Sequence, residues 1–110
     1  MEEKRIDGNQ AWFSFQRWHV GDGTRIHIGD DTTDLYFVSD LEHNAEWIAA
    51  FTVADSMMIS IHNGRARVNF TGSPDFVFVT GWDDLIPNSS RKFTFSRDEC
   101  ARIIDAIESD

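Results

Sequence analysis

MMISIHNGRARVNF (Met57–Phe70) decides the fold. Asn63 and Gly64 both tolerate positive φ, so the pair predicts a two-residue type I′ turn between two strands. With His62 opposite Arg65, Ile61 faces Ala66, Ile59 faces Val68 and Met57 faces Phe70. All six apolar side chains then share one side. Ser60, His62, Arg65, Arg67 and Asn69, with Met58, take the other. A slip of one residue would bury the arginines, so the register is strongly specified. The segment therefore predicts an antiparallel sheet with one core face.

Working toward the C-terminus, Gly72-Ser73-Pro74-Asp75 is a turn. Phe76-Val77-Phe78-Val79 is apolar at every position, which predicts a mid-sheet strand covered on both sides, one cover being a helix. Gly81–Ser90 reads as a loop pinned by Trp82, Leu85 and Ile86. Phe93 and Phe95 mark a last strand. Ser96-Arg97-Asp98-Glu99 is a capping box, and Phe95 with Cys100 is placed as a hydrophobic staple. Cys100, Ile103, Ile104 and Ile107 repeat at helical spacing, so residues 96–108 form an amphipathic helix that packs on the sheet.

Working toward the N-terminus, residues 40–54 carry Leu41, Ala45, Ile48 and Phe51 at helical spacing, and Ser39 with Glu42 resembles a second capping box. The apolar run Trp47–Val53 leaves a strand as the alternative. Ala11–Val20, Thr24–Ile28 and Leu35–Val38 read as strands. Gly21-Asp22-Gly23 supplies a tight turn between the first two, a register that sets Trp18 opposite His27. Phe13 and Phe15 lie on one side of their strand and Trp12 and Trp18 on the other. Ile26 and Ile28 likewise oppose Arg25 and His27. The expected class is α+β: a mostly antiparallel sheet of six or seven strands, the C-terminal helix 96–108 and a second helix over 40–54. At 110 residues the chain is expected to be a single domain, 1–110. No internal repeat stands out.

Composition narrows the function classes. Nineteen acidic residues against ten Lys and Arg give a net charge of −9. Such a chain is repelled by phosphate backbones and anionic lipid, so the expectation is no direct nucleic acid and no membrane partner. No apolar run reaches the length of a bilayer span, and Met1–Arg5 is not followed by the apolar stretch of a signal peptide. The expected location is cytoplasmic, in the host cell if the chain is phage-encoded. Cys100, alone of its kind, lies on the buried stripe of the last helix and is packing material.

No motif assembles a catalytic or cofactor site. His19, His27, His43 and His62 show no i, i+4 pairing and have no second cysteine nearby, against zinc. Asp30, Asp31 and Asp34 lack the alternate acidic positions, central Gly and terminal Glu of a calcium loop. There is no Gly-x-Ser-x-Gly elbow, phosphate loop or dinucleotide fingerprint. The reading is a protein with no enzyme activity, no cofactor and no metal.

The charge pattern carries more. Between Asp22 and Glu46 stand seven acids (Asp22, Asp30, Asp31, Asp34, Asp40, Glu42 and Glu46) against Arg25 alone. From Ile61 to Arg97 five bases (Arg65, Arg67, Arg91, Lys92 and Arg97) outnumber three acids. The expectation is an acidic face made of those seven residues, with Trp18 as an aromatic anchor and Trp82 as a second exposed candidate. Its partner would be a basic protein surface, that of a nucleic-acid-binding protein or complex. Phage-encoded anti-CRISPR proteins and other DNA-mimic inhibitors share this profile of size, charge and missing motifs, though no residue motif ties the chain to a family. The alternatives are an adaptor or subunit of a larger assembly, including a homodimer, an immunity-type protein, and a small hydrolase or ligand-binding domain.

Overall fold

The computed structural model describes residues 3–17, 23–39, 41–52, 57–63, 66–83 and 89–109. The elements run β1 (Lys4–Asp7), β2 (Trp12–Arg17), β3 (Thr24–Gly29), β4 (Asp34–Ser39), α1 (Leu41–Thr52), β5 (Met57–Asn63), β6 (Ala66–Gly72), β7 (Phe76–Asp83), β8 (Arg91–Ser96) and α2 (Arg97–Glu108). The class is α+β, all described strand pairs are antiparallel, and both expected helices are present. The seven expected strands are joined by the short β1, which carries no apolar run to announce it.

The strands form two four-stranded sheets, β1-β2-β3-β4 and β5-β6-β7-β8, where one sheet was expected. Each sheet is a plain meander followed by a helix, so the chain is built from two ββββα units. The repetition is one of topology that no sequence repeat announces.

Alternation along each strand sets the two faces. Phe13, Phe15, Ile26, Ile28, Leu35 and Phe37 line the inner face of the first sheet, and Val68, Phe70, Val77, Val79, Phe93 and Phe95 that of the second, all buried. The sheets meet directly where Phe37 approaches Phe70 (6.1 Å) and Phe13 approaches Phe95 (6.2 Å). A Cβ on Gly81 would stand 2.5 Å from both Leu35 methyl carbons, so Leu35 would have to move to admit one. Helix α1 enters the same core. Trp47 packs 5.7 Å from Phe13 and 6.2 Å from Phe70, while Phe51 touches Phe13, Phe70 and Phe95. The Trp47 indole N–H donates to Asn44 (3.1 Å), whose amide donates to Thr24 (3.0 Å), so the buried ring leaves no polar atom unmet. Cys100, Ile103, Ile104 and Ile107 complete the core from α2.

Helix α2 is capped as expected: Ser96 and Glu99 exchange both hydrogen bonds of the capping box. Phe95 and Cys100, the staple positions, are both buried. Cys100 is packing material, and burial pushes its thiol pKa up to about 11.

Three local expectations are corrected. In the β5–β6 hairpin Asn63 pairs with Ala66, Ile61 with Val68 and Ile59 with Phe70, a shift of two residues from the Asn63-Gly64 turn register. An even shift keeps every side chain on its face, so the pattern argument survives a wrong turn. In the β2–β3 hairpin Ser14, and not Trp18, stands opposite His27, and the last described pair is Arg17 with Thr24. Strand β7 runs on to Asp83, through the first residues expected to be loop. It is central, but no described element covers its outer side: Phe76 is 41% exposed there and Phe78 is half-buried. Among the described residues no helix is long and apolar enough to cross a membrane.

Candidate functional site

The residues with surface chemistry gather on the outer face of the first sheet, which neither helix covers. Register builds this face in rows. Arg5, Ser14, His27 and Tyr36 lie side by side, and Asp7, Trp12, Gly29 and Asp34 form the row beyond. Gly29 is required here: a Cβ would collide with the Trp12 indole, which lies across it. The Arg5 guanidinium sits 4.5 Å above the Trp12 ring while its Nε donates to Asp7 (2.9 Å). Trp12 meets the His27 ring edge-on at 4.8 Å, and His27 in turn meets Tyr36 at 6.1 Å. His27 Nε2 is 2.6 Å from Asp34 Oδ2. Tyr36 is 53% exposed, so the aromatic row ends at solvent.

Next to the row is a shallow depression of about 150 Å³, lined by Glu3, Ser14, Gln16, Arg25, His27 and Tyr36. Ser14 opposite a histidine that is bonded to an aspartate has the residue types of a nucleophilic triad. Its hydroxyl instead donates to Glu3, and the residue is 1% exposed. Ser14 is thus a buried tie and not a presented nucleophile.

The β3–β4 turn is set by Asp30. Its carboxylate accepts from Thr32 N–H (2.9 Å), Thr33 N–H (2.9 Å) and the Thr32 hydroxyl (3.0 Å). The two backbone N–H groups lead in holding its pKa below the usual carboxylate value. This Asx-type turn fixes the loop from which Asp31 projects exposed and from which β4 starts at Asp34.

Among the described residues, part of the expected acidic set comes together. Asp30, Asp31 and Asp34 are together at one corner of the first sheet. Asp30 is committed to the turn, and Asp34 to His27. Glu46 is on α1, whose Trp47 packs against the inner face of the same sheet, so β-structure separates it from Asp34. Asp22, Asp40 and Trp18 lie outside the described residues, and Glu42 is described in its backbone alone. Trp82 is half-buried on the outer face of the second sheet, with Arg67 6.0 Å over its ring. Glu3, Asp7, Trp12 and Tyr36 lie on the same outer face, Asp7 on the edge strand opposite that of Asp34. Their signal is the period-2 alternation of β1, β2 and β4, which sequence reading used for the core and not for the outer side.

Among the described residues there is no group of three His, Cys, Asp or Glu side chains able to hold a metal ion. The arrangement can display charge, accept hydrogen bonds and offer aromatic edges to a partner. No family model, curated protein or solved structure matches the chain.

Proposed function

We propose that this is a small acidic binding protein that acts without a catalytic step, by occupying the basic surface of a nucleic-acid-binding protein or complex in the manner of a DNA-mimic or anti-CRISPR inhibitor. The observation that carries this reading is the pre-set acidic corner. Asp31 and Asp34 project from a turn already held by Asp30, with Asp7 in the same row as Asp34 and the exposed Tyr36 beside them. Fixed geometry reduces the entropy that binding must overcome, and an acidic rim around aromatic side chains suits a basic groove. The net charge of −9 adds long-range attraction to such a partner.

The test is a charge reversal that spares the turn. Asp31→Lys with Asp34→Lys, Asp30 being left in place, should weaken binding to the basic partner about tenfold or more, with most of the change in association rate. Added salt should weaken wild-type binding in the same direction. Affinity indifferent to both changes would sink the reading.

A further inference from the structure

We infer that the outer face of the second sheet is a separate platform that binds single-stranded nucleic acid. Register places Arg67, Asn69 and Thr71 of β6, Phe76, Phe78, Thr80 and Trp82 of β7, and Lys92, Thr94 and Ser96 of β8 on this face. The positions of β5 that pair into it are Met58, Ser60 and His62. No position of this four-stranded face is acidic, in a chain that carries nineteen acids. Central strand β7 presents three aromatic residues at alternate positions. Phe76 and Phe78 stand 6.3 Å apart with planes 29° from parallel, and Phe76 is 41% exposed. Lys92 Nζ lies 4.3 Å over Phe78, and the Arg67 guanidinium 6.0 Å over Trp82.

Charge and shape together select the occupant. A second copy docked face to face would set cations against cations, with no acidic position among the described strands of the face. An acidic peptide would offer Lys92 a counter-charge but leave the rings without flat partners. A single strand supplies both: bases stack on Phe76, Phe78 and Trp82, and phosphates meet Arg67 and Lys92 alongside. Asn69, Thr71, Thr80 and Thr94 add hydrogen-bonding groups for base edges or sugar. The face spans four strands, about 14–19 Å, enough for roughly three nucleotides. The net charge does not forbid this, because screening confines each charge's influence to about 10 Å at 0.1 M salt. A duplex, whose bases are already stacked, gains nothing from the rings.

The experiment is fluorescence anisotropy of labelled twelve-nucleotide oligo(U) and oligo(dT), titrated with the full chain at about 0.1 M salt, where the acidic side of the molecule is screened. Saturable binding is expected, with Phe78→Ala and Lys92→Glu each weakening it about tenfold and a duplex of the same length binding far less. Phe78→Leu, which keeps the half-buried volume, should also lose affinity while circular dichroism and melting stay those of the wild type. Asp31→Lys with Asp34→Lys, on the other sheet, should leave oligonucleotide binding undiminished, which separates this inference from the proposed protein-binding role. The inference is overturned by any of three results from folded protein: no saturable change up to about 100 μM, well past the ~1 μM scale of specific contacts; binding unaltered in Phe78→Ala and Lys92→Glu; or displacement of the oligonucleotide by a poly-glutamate peptide at equal concentration.

Discussion

Arg97 does more for this fold than its place on the first turn of α2 implies. Its Nε and Nη2 donate to the Ser73 carbonyl (2.8 and 2.5 Å), and Nη1 donates to the carbonyls of Ala50 and Phe51 (both 3.2 Å). One guanidinium thus joins the β6–β7 turn, the start of α2 and the C-terminal end of α1, where carbonyls lack helical partners. Arg97→Ala should lower stability by about 2–3 kcal/mol in urea unfolding, and Arg97→Lys should recover only part, because an ammonium cannot span the same fork. Glu99 is the second such residue. Burial works to raise its pKa, but the N–H groups of Ser96 and Asn9, the Ser96 hydroxyl and the charge of Arg102 outweigh it and hold the carboxyl below its usual range. A depressed folded pKa stabilises fully above the unfolded value, and that stabilisation is lost as pH falls through the folded pKa. The gap between wild type and Glu99→Gln should be about 1–2 kcal/mol at pH 7 and should close in acid; a gap that stays constant down to pH 3 contradicts the assignment. The capping half of Glu99 was legible from Ser96 and Glu99 themselves. The Asn9 half was not, because ninety positions separate the partners and no local pattern encodes that contact.

At the scale of elements, alternation proved more informative than turn chemistry. The core side of β2, β3, β6 and β8 follows from period-2 spacing, and α2 follows from its cap and stripe. The turns misled, because Asn63-Gly64 and Gly21-Asp22-Gly23 advertise tight turns at positions where the observed pairing runs differently. Both registers moved by even steps, which conserved the faces. Phe76 and Phe78 misled in another way: their apolar character suggested a cover that the described residues do not supply. The division into two sheets has no local signature either, since it is made by long-range contacts such as Leu35 against Gly81. That contact offers a direct check. Gly81→Ala should destabilise by about 1–3 kcal/mol through overpacking, and Leu35→Ala in the same chain should cost less than it does alone. Additive effects in the double-mutant cycle would show that the two sheets do not press together there.

For the whole molecule, the two ββββα units enclose one core between their sheets and leave two outer faces with different chemistry. The first bears the acidic corner and the Trp12–His27–Tyr36 row; the second bears aromatic side chains and cations. The sequence contrast between an acid-rich stretch before residue 50 and a base-rich one after it foreshadowed this, because each unit keeps its own outer face. What it could not show is that helix α1 carries Glu46 to the core side of the first sheet, away from Asp34. Of the seven acids, the described residues bring Asp30, Asp31 and Asp34 together at one corner. A partner that reads this corner must respond to Asp31 and Asp34 and be indifferent to Glu46. The most direct measurement is quantitative capture of cellular proteins, after nuclease treatment, on wild type, on Asp31→Lys with Asp34→Lys, and on Glu46→Lys. The predicted result is a basic nucleic-acid-binding protein held by wild type and Glu46→Lys and lost from the corner variant. Equal recovery on all three, or loss only with Glu46→Lys, would contradict the account.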